Sequence, residues 1–531
     1  MPPHFTSLET ADTTEPFDGI TVYAKAERTD YSKQKFLAWI CVGGIHVFAL
    51  LIAAGLAFIA VKEKEIDYPP RISNPLPDHK IVKPPVDHPP VIPQPTDQVV
   101  ETENLVETPV VVSEAVDDTT SSEDVASETD GQKGKTDAVT VSEMGDVGTF
   151  AMIGAGGPPA GMFGNRTVGH KITCKIYYGP IGRPVDTTIN AGLEWLKKHQ
   201  SADGSWSAAN YFKNCQEQPK CEPGKDQAGD TDSALTGYAL MCFLGSGYDH
   251  KNPSKYRKVC TGAVSWLVAK QSHDGRFGKR NYEHAIATQA IVEAYAMTGD
   301  NNLNLPVQNG LKVITEQQAK NEKYEAFGWD YEKPNVSRND TSVMGWNIMA
   351  LKSALGAGIN TASQLKGAEH CMELAWKAAN PHWKELDQYK TSTFPYCWNA
   401  ITNVAEKDTF SAVSAACLVF MGRNKGDVQF ETLLTDAEQR WLSHEQFTTN
   451  LYHTYYLGMA EFEAGDAKWT SFRDKVIPWL ISSQRKGNDC STGSFDATGQ
   501  NWPGADTGRV LSTCYSLLTL EVAYRYAKIK R

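Results

Sequence analysis

The chain has 531 residues, 41% of them hydrophobic, and a formal net charge of −11. That length allows several domains and a sizeable core, while the charge balance gives no sign of a basic nucleic-acid surface. Eleven cysteines in so long a chain are too sparse for a disulfide-built scaffold.

Residues 1–35 read as a cytoplasmic segment and 36–61 as a transmembrane helix. Phe36 to Val61 contains no Asp, Glu, Lys or Arg and one histidine, His46, and a span of about 20 apolar residues crosses a bilayer. A cleavable signal peptide is the competing reading, but its apolar region is usually about 7–15 residues. Lys25, Arg28, Lys33 and Lys35 precede the span, whereas Lys62 and Lys64 after it alternate with Glu63 and Glu65. This bias puts the N-terminus in the cytoplasm. The expected address is the cytoplasmic (inner) membrane, single-pass, with the rest of the chain in the periplasm or cell exterior.

Residues 62–182 read as a disordered linker. Ten prolines from Pro69 to Pro95 favour extended polyproline II. Between Pro95 and Phe150, fourteen Asp and Glu face only Lys133 and Lys135, a composition that cannot bury a core. The acidity of the chain belongs to this linker, and the remainder is close to neutral.

Residues 183–531 change character. GLEWLKKHQSADGSW, starting at Gly192, recurs as GAVSWLVAKQSHDGRF from Gly262, and in part as GLKVITEQQ from Gly310 and VIPWLISSQ from Val476. Apolar residues in these copies keep helical spacing, as in Ile189, Leu193 and Leu196. Each copy precedes a run that is apolar almost all round, such as SALTGYALMCFLG or TSVMGWNIMALKSALG, the mark of a helix buried on every side. Asp230, Asp340, Asp408 and Asp506 each precede a threonine where such a run opens, as helix caps do, and several runs close on glycine. Amphipathic helices outside and apolar helices inside predict an all-α fold, an α/α toroid of about six outer and six inner helices. The aromatics Tyr238, Trp346, Tyr455, Tyr456 and Tyr515 either fill its centre as core or line a cavity there, and aromatics at helical spacing are more often packing.

The aromatic-aliphatic pair, the glutamine and the Gly-x-aromatic of Trp195, Leu196, Gln200, Gly204 and Trp206, repeated in Trp266, Leu267, Gln271, Gly275 and Phe277, resemble the QW repeat of the squalene cyclase and protein prenyltransferase superfamily. Gln200 can bond exposed backbone at the neighbouring helix end while Gly204 permits a tight turn, so the motif is expected to fasten the scaffold. The resemblance covers about residues 186–527. It implies an Asp-x-Asp-Asp acid at the cavity mouth of a cyclase. Asp230-Thr231-Asp232-Ser233 is the nearest match and lacks the last carboxylate, so Asp230 and Asp232 are catalytic candidates that compete with plain capping. NLYHTYYLG, Asn450 to Gly458, resembles the helix that supplies the zinc histidine in prenyltransferases. There Asp408 and His453 are candidate ligands, but Phe410 stands where that family has a thiolate, and no metal site and no cofactor are expected. Glu283, His284, Asp340 and Asp506 complete a rim of polar residues suited to a ligand head. Cys215 and Cys221, in the loop NCQEQPKCEPG, could form a disulfide. A metal clip there lacks further Cys or His nearby.

The N-terminal arrangement resembles TonB-type energy couplers, although Val42 stands four residues before His46 where that family has Ser. The expected function is a membrane-anchored, extracytoplasmic ligand- or partner-binding module, with enzyme activity left open. A squalene-cyclase-like isoprenoid enzyme and a TonB-like coupling protein are the alternatives. The expected partners are the membrane and an apolar isoprenoid-like ligand or an envelope protein.

Overall fold

The structure, a computed structural model, describes Arg166 and residues 177–226, 229, 231–320, 327–385, 390–406, 409–423, 426–497 and 507–526. The chain divides into two units, 1–109 and 110–531, and every described residue lies in the second. The predicted span at 36–61 and nearly all of the predicted linker lie outside the described residues. Among the described residues no helix is long and apolar enough to cross a membrane.

The described part is predominantly helical. In chain order the helices are α1 (Gly182–Lys198), α2 (Asp232–Gly245), α3 (Arg257–Lys270), α4 (Asn281–Thr298), α5 (Asn304–Gln317), α6 (Thr341–Gly356) and α7 (Ala362–Ala379). They continue as α8 (Ser411–Phe420), α9 (Val428–Ala437), α10 (Leu451–Ala464), α11 (Asp466–Ser483), α12 (Gly508–Leu520) and the short α13 (Val522–Arg525). Even-numbered helices from α2 to α12 are inner ones: α6, for instance, buries every residue it has. They pack in the order α2, α4, α6, α8, α10, α12 and back onto α2, a closed circuit. Odd-numbered helices such as α1, α3 and α5 bury one stripe, and the short α13 is wholly buried. In α1 the stripe is Val185, Ile189, Leu193 and Leu196, with Lys197 and Lys198 in its last turn. Each outer helix packs on the inner helix before it, α1 on α12, and α11 touches α1 where the circuit closes.

The glutamines fasten this circuit. Gln200 Nε2 donates to Gly204 O in its own loop and to Val259 O in the first turn of α3, both at 2.9 Å. Gln271 does the same to Gly275 O and Pro306 O, Gln318 to Phe327 O and Gln364 O, and Gln484 to Gly493 O and Thr188 O. Each amide thus ties a carbonyl of its own loop to a carbonyl near the start of a neighbouring helix, holding the two together. The indole of Trp206 donates to Leu196 O at 2.8 Å, locking the loop under the helix that precedes it.

Two features depart from the all-helical expectation. A small antiparallel sheet, ordered β1 (Asn339–Asp340), β2 (Cys397–Asn399), β3 (Val404–Ala405), pairs Asp340 with Cys397 and Trp398 with Ala405. Strands of two or three residues are too short for a period-2 pattern to show in sequence. Residues upstream of α1 also enter the core: Tyr178 is fully buried and donates to Leu520 O at 2.5 Å, and the Arg166 guanidinium pairs with Glu293 at 2.8 Å.

Candidate functional site

A cavity of about 510 Å3 opens among the starts of the inner helices, within the roughly 300–1,000 Å3 usual for small-molecule sites. Its wall takes Thr231 from before α2, Tyr282 and Glu283 from α4, Ser342 from α6, Phe410 from before α8, Tyr452 and His453 from α10, and Thr507 from before α12. Tyr238 and Leu511 line it further along α2 and α12, and the connecting segments add Arg280, Tyr331 and Tyr396. Below it the centre is closed. Tyr238, Trp346, Tyr455, Tyr456 and Tyr515 are at most 1% exposed and pack ring against ring, with Tyr238 5.1 Å from both Trp346 and Tyr515.

The wall is aromatic and rich in hydroxyl groups. Tyr331 Oη lies 3.2 Å from both Ser342 Oγ and Tyr396 Oη, and Trp346 Nε1 donates to Tyr282 Oη at 3.1 Å. The Tyr452 hydroxyl is buried without a partner. The Arg338 guanidinium lies 5.4 and 5.6 Å from the Tyr331 and Tyr396 ring centroids, close enough for cation–π attraction, and is anchored by Asp340 at 2.9 Å and by Asp330.

Among the described residues, Glu283 supplies the only carboxyl of the wall. It sits in the first turn of α4 and closes a capping box, accepting from Arg280 N at 3.1 Å and Arg280 Nε at 2.7 Å. Burial raises its pKa above the ordinary carboxylate value and outweighs the opposing pull of Arg280. His453 is 7% exposed. Its ring stacks on Trp441 at 4.5 Å and meets Phe410 edge-on at 4.9 Å, and neither ring nitrogen has a partner. Desolvation lowers its pKa to about 3, so it is neutral at physiological pH, with one nitrogen free to donate and one to accept.

Of the residues singled out by sequence, the structure brings Glu283 and His453 to this wall and places Asp340 one bond behind it, accepting from the wall residue Ser342 at 2.6 Å. Asp340 is a true cap, accepting from Ser342 N and Val343 N at 2.9 and 3.1 Å. Asp232 is not part of the wall. Its carboxyl bonds to Ser207 and Ala208, its Oδ1 is unpartnered, and burial pushes its pKa up to about 6. Asp230, Asp408 and Asp506 lie outside the described residues.

His284 is a core residue rather than a rim residue. Its Nδ1 accepts from Phe277 N at 3.0 Å and its Nε2 donates to Gly310 O at 2.9 Å, an arrangement that only the neutral ring can make. Burial lowers its pKa to about 4, against the opposing effect of the Gly310 carbonyl. The unfolded chain binds this proton below about pH 6.5 and the folded one only below about 4, so the contribution is full above 6.5 and is lost as pH falls. The expected loss is about 3 kcal/mol by pH 4. Denaturation series between pH 7 and 4 should show a shallower decline for His284→Gln than for the parent chain, and equal slopes would refute the assignment.

Sequence reasoning missed Arg280, Tyr282, Tyr331 and Tyr396 as wall residues. A cluster of aromatics in non-periodic segments was the available signal. It also missed that His199 and Cys490 join Cys215 and Cys221, all four within 4.8 Å of one another. Cys215 and Cys221 are present there as free thiols.

No protein-family model matches the sequence, and no curated protein matches it. Solved structures that match include an α-1,6-mannanase, GH76A, of Salegentibacter sp. HEL1_6, at 10% identity and TM-score 0.45, covering 64% of this chain and 99% of that one. Others are an α-amylase from Clostridium perfringens, at 10% identity and TM-score 0.43, covering 63% and 97%, and an unsaturated glucuronyl hydrolase specific for heparin, at 12% identity and TM-score 0.42, covering 65% and 97%.

These matches to glycan-acting enzymes correct the expected membership of the squalene cyclase and protein prenyltransferase superfamily. The physical reason is that the QW-like repeat ties neighbouring helices and carries no information about what the ring encloses. The expected binding module, the isoprenoid enzyme and its apolar ligand, the envelope-protein partner and TonB-like coupling fall with it. Among the described residues, the buried aromatics Tyr238, Trp346, Tyr455, Tyr456 and Tyr515 close the centre below the cavity. The expected membrane partner has no counterpart among the described helices.

Proposed function

We propose that the two layers of helices form an α/α toroid whose open end binds a glycan, and that the protein is a glycan-processing enzyme with Glu283 as its proton-transferring group. The observation that carries this reading is the wall itself: tyrosine rings and hydroxyls around one partly neutralised carboxyl. Aromatic faces suit the C–H faces of a pyranose, and hydroxyl and amide edges suit its hydroxyls. The Arg280–Glu283 pair leaves the wall without a strong net charge, which favours a neutral polyol over a phosphate or a polycation. A carboxyl with a raised pKa is suited to giving its proton to the leaving glycosidic oxygen while water takes the anomeric carbon and releases a proton to solvent. His453, neutral and unpartnered, can hold a second hydroxyl.

The test is a panel of neutral oligosaccharides assayed for binding and cleavage. Glu283→Gln is expected to lower turnover by at least about 100-fold while leaving saccharide affinity nearly intact, and Tyr452→Ala to weaken affinity instead. Full turnover in Glu283→Gln, or no saccharide bound at millimolar concentration, would refute the proposal.

A further inference from the structure

We propose that His199, Cys215, Cys221 and Cys490 bind a structural zinc ion that joins the two ends of the ring. His199 caps the C-terminal end of α1, Cys215 and Cys221 come from the loop that follows, and Cys490 comes from the loop after α11. His199 Nε2 lies 3.3 Å from the sulfurs of Cys215 and Cys490 and 3.8 Å from that of Cys221. A tetrahedral zinc with Zn–S of about 2.3 Å and Zn–N of about 2.05 Å sets nitrogen–sulfur edges of roughly 3.5 Å, so the four atoms already stand near the corners that the ion requires.

The surroundings fix the ligand state. His199 Nδ1 donates to Trp195 O at 2.8 Å, which leaves the Nε2 lone pair facing the three sulfurs, the outer-shell arrangement that orients metal-bound histidine. Trp195 stacks on the imidazole at 4.2 Å and its own N–H donates to Cys490 O at 2.9 Å, so one side chain positions two ligands. Cys221 N lies 3.3 Å from Cys215 Sγ, a contact that suits a thiolate acceptor. All four ligands are buried, none more than 6% exposed. Four protein ligands leave no coordination position for water or substrate, so the ion would be structural. Binding takes zinc into three thiolates and one neutral imidazole and releases the thiol protons to solvent. The competing chemistry for the same atoms is a Cys215–Cys221 disulfide, which would leave Cys490 and His199 with no common partner.

The experiment uses the full-length chain, purified without affinity tag or chelator. The expected result is one zinc per chain by elemental analysis. Cys215, Cys221 and Cys490 should resist alkylation until a chelator is added, and chelation should lower the melting midpoint by at least about 5 °C. Cys490→Ser should lose the ion. If that variant does not fold, zinc content and chelator-dependent alkylation of the unmodified chain decide alone. Zinc below a tenth of an equivalent, or a Cys215–Cys221 disulfide in the non-reduced peptide map, would overturn the proposal.

Discussion

Replacing Glu293 by alanine is expected to destabilise the protein by about 3–5 kcal/mol. This carboxylate lies on α4 with 2% of its side chain exposed, between Arg166 at 2.8 Å and Arg525 at 3.0 Å. Gln289 Nε2 also donates to it at 3.0 Å. Burial alone would raise its pKa, but the two guanidinium groups overrule that effect and hold it below the ordinary carboxylate value. Arg525 has a second anchor, donating to Met241 O at 2.8 Å. The neighbouring Glu521 offers no substitute charge. Burial pushes its pKa up to about 8 despite Arg525, so it stays largely protonated at neutral pH. Removing Glu293 leaves two buried cations whose remaining carboxyl neighbour, Glu521, must lose a proton before it can answer them, which costs more than the pair contributes when intact. Urea denaturation at pH 7 checks this, and a variant within 1 kcal/mol of the parent would show that water reaches the cluster.

The second large effect is expected at Gly204. Its φ is +95°, and a Cβ built there would lie 2.2 Å from Gly262 O, a backbone atom of α3 that cannot rotate away. Gly204→Ala combines backbone strain with displacement of a neighbouring helix, and about 3–5 kcal/mol is expected. Gly426 is the internal control: it has φ +91° but nothing within 4 Å of its Cβ position, so Gly426→Ala should show the conformational cost alone, about 1–2 kcal/mol. Equal losses at the two sites would mean that the loop after α1 yields rather than the helix contact.

These two positions also mark the limits of what could be read from sequence. The turn at Gly204 was legible because the Gln-x-x-x-Gly-x-aromatic spacing is local and repeated, whereas its close approach to Gly262 was not. The inner helices were legible for the same reason, since runs such as Thr341 to Gly356 allow only a helix buried on all sides. The Glu293 cluster was not, because Arg166 reaches it from a stretch whose composition reads as linker. Of the candidate site, Glu283 and His453 were legible: they stand at helix starts, where chain direction alone puts them on one rim. Tyr331 and Tyr396 arrive on segments without periodicity, and their meeting at 3.2 Å spans 65 residues. Local patterns fix what each helix buries, whereas the partners of a loop depend on how the ring closes.

That closure has a consequence for the order in which the protein can acquire its structure. Thr188 receives its hydrogen bond from Gln484, 296 residues later, and α1 rests on α11 and α12. At about 5–20 residues per second, a ribosome needs roughly 15–60 s to traverse that interval. Throughout it, the apolar stripe of Val185, Ile189, Leu193 and Leu196 has been made while the surfaces that cover it have not. Helices from α2 onward can stack as they emerge, each on its predecessor, but the first helix is the last to be buried. A nascent chain that stalls before residue 476 therefore carries an adhesive edge at each end, a state in which a chaperone, or a second stalled chain, would compete with the native seam.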